Sequence, residues 1–79
     1  MEIQELLDTM NELLNDNTLP KNIKTKLEQI IKSFQEKGDI SLKANKALSI
    51  LEEISEDVNL QPYTRTQIWN LISMLETLA

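Results

Sequence analysis

Apolar residues recur along this chain in four stripes of helical spacing, separated by three short polar interruptions. The first stripe is Ile3, Leu6, Leu7, Met10, Leu13 and Leu14, and the second is Ile23, Leu27, Ile30, Ile31 and Phe34. The third runs Ile40, Ala44, Ala47, Leu48, Leu51 and Ile54, widened by Leu42 and Ile50. The fourth is Ile68, Leu71, Ile72 and Leu75, with Trp69, Met74 and Leu78 on its flanks. Apolar positions three and four apart define one face of an amphipathic helix, so four helices are expected. The broad third face, with two alanines in it, predicts a helix with neighbours on both sides.

The interruptions read as helix ends. Glu2, Glu5 and Asp8 fall in the early turns of the first helix, where negative charge is favourable. The run N-D-N-T-L-P then breaks the pattern, because Pro20 belongs in a first helical turn and cannot continue a preceding helix. Lys37 and Gly38 form a second stop, a cation in the last turn followed by a residue free to adopt positive φ. Asp39 and Ser41 are both able to cap the third helix. S-E-D-V-N-L-Q closes that helix and Pro62 opens the fourth. Short connections make sequential helices antiparallel neighbours. The expectation is a single all-α domain over residues 1–79, with one hairpin at about 2–37 and a second at about 40–78.

The two hairpins align with each other at an offset of 41 residues. Leu7 meets Leu48, Glu12 meets Glu53, Asp16 meets Asp57, Leu19 meets Leu60, Thr25 meets Thr66 and Ile31 meets Ile72. Aliphatic pairs coincide as well, and Lys24 falls against Arg65. The prolines are offset by one, since Pro20 aligns with Gln61. Trp69 stands where the first half has Glu28.

Composition narrows the chemistry. The 79 residues include no Cys and no His, which excludes disulfides, thiolate metal sites and the commonest general base near neutral pH. A net charge of −5 repels phosphate backbones, so nucleic acid is a disfavoured partner. With one Gly there is no glycine-rich phosphate loop. No apolar run reaches the roughly 20 residues of a membrane span, and M-E-I-Q-E-L-L is unlike a signal peptide, so a cytoplasmic protein is expected.

Few constellations remain. Glu52, Glu53, Glu56 and Asp57 crowd a helix C-terminus, where the macrodipole disfavours carboxylates. They suit contact with a basic partner or a hard cation such as Mg²⁺, or neutralisation by Arg65 and the first turn of helix four. Trp69 is either core filling or an interface anchor. Lys21, Lys24, Lys26, Lys32 and Lys37 spread around helix two and read as a solvated surface. Tyr63, Thr64, Arg65 and Thr66 lack a base to activate a hydroxyl and read as helix-start hydrogen bonding.

The 41-residue period, with an Asp closing the first helix of each hairpin, resembles HEAT-type helical repeats. That resemblance implies internal ties from Asp16 to Lys24 and from Asp57 to Arg65. The segment from Ala47 to Glu76 resembles archaeal uncharacterised protein family 0147, most specifically in T-R-T-Q-I-W-N, Thr64 to Asn70. The family resemblance implies a small all-helical protein and carries no assigned activity. The expected function is therefore a non-enzymatic protein–protein interaction module or small homo-oligomer. It would need no cofactor and would use Trp69, Glu52, Glu53 and Glu56 as contacts. The alternatives are a cation-binding or enzymatic protein using the helix-three carboxylates, and an accessory nucleic-acid protein using helix two.

Overall fold

A computed structural model describes residues 3–79. It contains four helices: α1 (Ile3–Leu14), α2 (Lys21–Gln35), α3 (Ile40–Ser55) and α4 (Pro62–Glu76). Glu2, expected in the first turn of α1, lies outside the described residues. The stripes become the core: Leu6, Met10, Leu27, Ala44, Leu51, Ile68, Leu71 and Leu75 are wholly excluded from solvent. Leu19 and Leu60, one apolar residue from each long turn, join them, while Val58 of the second turn is exposed.

Each helix touches two others. α1 packs on α2 and α4, α3 packs on α2 and α4, and neither diagonal pair meets. The helices thus close a ring around one core, an antiparallel bundle 32 Å long and 18 Å across. A helical solenoid stacks one helix pair on the next, which would set α1 beside α3 and α2 beside α4. The two expected hairpins are present and bury their stripes against each other with α1 on α4, so the HEAT-like resemblance does not extend to solenoid stacking.

The 41-residue correspondence nevertheless appears in the turns. Leu19 N–H donates to Asp16 O and Leu60 N–H to Asp57 O. The Asp16 carboxylate accepts from Thr18 N–H and that of Asp57 from Asn59 N–H, both at 2.8 Å. Thr25 and Thr66 donate back to the carbonyls of Lys21 and Pro62. Pro20 and Gln61 both sit at N-caps with nearly the same extended backbone (φ −57°, ψ 144° and φ −64°, ψ 145°). The one-residue proline offset is thereby accounted for. Position 20 is the cap itself, whereas Pro62 is the first helical residue, where its missing N–H costs nothing.

The internal ties differ from those the repeat resemblance implies. Arg65 donates to the backbone carbonyl of Asp57 at 2.8 Å and to that of Ser55 at 3.2 Å, not to the Asp57 carboxylate. The Ser55 carbonyl ends α3 and the Asp57 carbonyl follows its C-cap Glu56, so a guanidinium satisfies groups at a helix end that helix geometry leaves unpaired. Asp16 makes no ion pair with Lys24. Its second oxygen instead accepts from the Thr64 hydroxyl at 3.2 Å, joining the first long turn to α4.

At the opposite end Asp39 is the cap of α3, accepting from Ser41 N–H at 2.8 Å and Leu42 N–H at 3.4 Å. Gly38 adopts φ +145°, as the stop signal requires. Two stripe positions are exposed. Leu42 lies about 200° around α3 from Ala44 and so faces away from the core. Ile40 is on the core side but in the first turn, beyond full cover by the neighbouring helices.

Candidate functional site

α4 shows its buried face to all of the core and keeps an outer face that is polar apart from its aromatic residues. Thr64, Ile68, Leu71, Ile72 and Leu75 point inward. Trp69 stands at one edge of the buried face with 51% of its surface exposed, and Tyr63 stands at the other edge, toward α1, with 70% exposed. Of the two alternatives left open by the sequence, core filling is set aside: Trp69 is half exposed, and its repeat counterpart Glu28 is exposed too. Exposed large apolar residues recur elsewhere, at Ile40 and Leu42 on α3 and at Val58 in the turn that follows it, but Trp69 and Tyr63 are the exposed aromatic residues.

A ladder of hydrogen bonds organises the flank of α4 that faces α1. Gln67 donates to the Tyr63 hydroxyl oxygen at 2.7 Å, and Asn70 donates to the Gln67 carbonyl oxygen at 3.2 Å. Beneath this ladder a small cleft opens between α1 and α4, lined by Thr9, Glu12, Leu13, Asp16, Tyr63 and Gln67, with a volume of about 60 Å³. At that size it admits a head group rather than a whole cofactor, for which several hundred Å³ are usual.

The acidic residues of α3 do not act as one group. Glu53 forms an ion pair with Lys26 of α2 at 2.8 Å, and that hydrogen bond and charge hold its carboxyl below the ordinary value of 4.5. Glu52 and Glu56 are exposed, and Asp57 is committed to its own turn. Among the described residues no three acidic groups gather closely enough to hold a metal ion. Arg65 serves the α3 C-terminus at its carbonyls, which is how the helix end tolerates the surrounding carboxylates. The Asp16 carboxyl is also held down, mainly by the Thr18 hydroxyl, then by the Thr18 N–H, with Thr64 and Lys24 adding to the effect against partial desolvation.

The hydroxyl-rich start of α4 is structural. Thr66 bonds its own helix, Thr64 is buried against Asp16, and Arg65 reaches α3. Sequence reading did not single out Tyr63, Gln67, Glu12 and Asp16 as one cleft. The signal for it was the repeat offset, which aligns Glu12 with Glu53 and Gln67 with Lys26, the two partners of the ion pair.

The fold and surface define a small antiparallel four-helix bundle with two exposed aromatic residues on α4 and no helix, among the described residues, long and apolar enough to cross a membrane. The chain matches the Uncharacterised protein family (UPF0147) over residues 1–78, and it belongs to that family. It is 38% identical over 77 residues to a UPF0147 protein of Archaeoglobus fulgidus, covering 98% of this chain and 88% of the relative. A Sulfurisphaera tokodaii UPF0147 protein is 36% identical over 77 residues, with 96% and 86% covered. The fold superposes on the crystal structure of a family member from Thermoplasma acidophilum with a TM-score of 0.88 at 31% identity, covering 96% of this chain and 91% of that one. A crystal structure of a protein of unknown function, MMP1188, gives a TM-score of 0.87 at 30% identity, with 96% and 88% covered.

Proposed function

We propose that this protein is a non-enzymatic association module whose contact surface is the outer face of α4, centred on Trp69. The reading is supported chiefly by one observation: the largest side chain in the molecule is half exposed at the edge of the α4 face that is locked into the core. A tryptophan held on a rigid element loses little conformational freedom on binding and presents a large apolar area, which is why such residues anchor interfaces. The simplest assembly that buries it is a symmetric dimer, in which the same patch meets itself. Exposed Glu52 and Glu56 on the adjoining helix would orient a partner more than hold it.

Sedimentation equilibrium at micromolar concentration tests the reading. The wild-type protein is expected to dimerise and the Trp69→Ala variant to remain monomeric while folded. A wild-type protein that stays monomeric throughout would remove the self-association reading.

A further inference from the structure

The cleft between α1 and α4 is the counterpart, 41 residues displaced, of the place where Lys26 and Glu53 meet between α3 and α2. Glu12 corresponds to Glu53, Asp16 to Asp57, and Gln67 to Lys26. Both interfaces exist in the bundle, since α1 lies against α4 as α3 lies against α2. At the second interface the Lys26 ammonium spans the gap and sits 2.8 Å from the Glu53 carboxylate. At the first the carboxylate is retained as Glu12 but the ammonium is missing, because the matching residue is Gln67, whose neutral amide bonds Tyr63. The space this leaves is the cleft of about 60 Å³.

We infer that this cleft binds the side-chain ammonium of a lysine presented by a protein partner, occupying the position that Lys26 fills at the matching interface. The molecule itself supplies the occupied version of the site, and its occupant is a lysine Nζ. Glu12 supplies the ion-pair oxygen, and the Tyr63 ring and Leu13 give an apolar wall for the four-carbon stem. Asp16, already committed to Thr18 and Thr64, adds negative potential rather than a free oxygen pair. A free diamine with the same four-carbon stem sets its second ammonium where a peptide lysine has its neutral backbone, so the two occupants differ in the group at the mouth of the cleft. The site is separate from Trp69, which lies about 200° around α4 from Gln67. The inference therefore does not depend on self-association.

The test is a titration of the ¹⁵N-labelled protein with the blocked tripeptide acetyl-Gly-Lys-Gly-amide at millimolar concentration and low salt. Saturable amide shifts are expected at Glu12, Asp16, Tyr63 and Gln67, fading as salt screens the charge. The norleucine tripeptide should produce none. Gln67→Lys installs the residue of the matching interface on an exposed helix, so it is expected to fold and to weaken the peptide response up to about fivefold, the effect of one surface ion pair. Glu12→Gln should do the same. The inference is overturned if the norleucine peptide shifts the same amides, if the shifts fall around Glu52 and Glu56 instead, or if putrescine binds as tightly as the peptide. It is also overturned if Gln67→Lys leaves the response unchanged. Trp69→Ala should leave it intact, so failure of the dimer reading and failure of the cleft reading are told apart.

Discussion

Thr64 donates its hydroxyl proton to Asp16 across 48 positions of sequence, at 3.2 Å, and that bond fastens the first long turn to the start of α4. Its counterpart in the other half is Ile23, buried to the same degree at 1% exposure. One core position thus carries a hydroxyl, used to bond the Asp16 carboxylate, where its match is aliphatic. Thr64→Val keeps the shape and removes the donor. A loss of about 0.5–1.5 kcal/mol is expected in urea unfolding, with an unchanged m-value.

Acid should act through the same carboxylate. Asp16 and Glu53 both have folded-state pKa values below their ordinary 3.8 and 4.5. A depressed carboxylate adds stability that is present above its unfolded pKa and is lost as pH falls through its folded one. The melting temperature is therefore expected to hold down to roughly pH 5 and to drop below about pH 4. Asp16→Asn and Glu53→Gln should each flatten that drop, measured by circular dichroism melts across the range.

The Arg65 fork joins α4 to the end of α3 through two backbone carbonyls. Lysine has the charge but not the geometry to serve both. Arg65→Met should cost about 1–3 kcal/mol by leaving partly buried acceptors unsatisfied, and Arg65→Lys should recover only part of it.

At the other end, Gly38 holds φ +145°, and a Cβ there would also come within 3.1 Å of Lys43 Cε. The lysine end can move; the backbone cannot. Gly38→Ala is expected to destabilise by about 1–3 kcal/mol, and Asp39→Ala by about 0.5–2 kcal/mol through loss of the α3 cap. Thermal melts of the two variants check both values.

Much of the bundle was legible because helix periodicity is local. Ile23, Leu27, Ile30, Ile31 and Phe34 are all buried as their spacing implies. Leu42 misled because it extends the stripe in sequence while its angle on α3 points outward. Which helices are neighbours was not local information. Either stacked pairs or a closed ring buries four stripes, and contact of α1 with α4 decides between them. Arg65 was identified as a tie to Asp57, but sequence could not say that a carbonyl would be its acceptor. The cleft was hidden for a related reason: Glu12 and Gln67 are 55 positions apart, and nothing but the repeat offset connects them.

Core and face should separate under mutation. Leu71 is wholly buried, and Leu71→Ala is expected to cost about 2–5 kcal/mol. Trp69→Ala should cost about 1 kcal/mol in the monomer, since half of that side chain is already in water.

Trp69 is the only tryptophan, so its fluorescence reports its own surroundings. Acrylamide quenching and emission wavelength, followed as wild-type protein is diluted through the micromolar range, test whether the α4 face is an association surface. The expected result is a blue-shifted, protected tryptophan at high concentration that becomes red-shifted and quenchable on dilution. An emission maximum and quenching constant that stay fixed at all concentrations, with Trp69 open to acrylamide throughout, would contradict it.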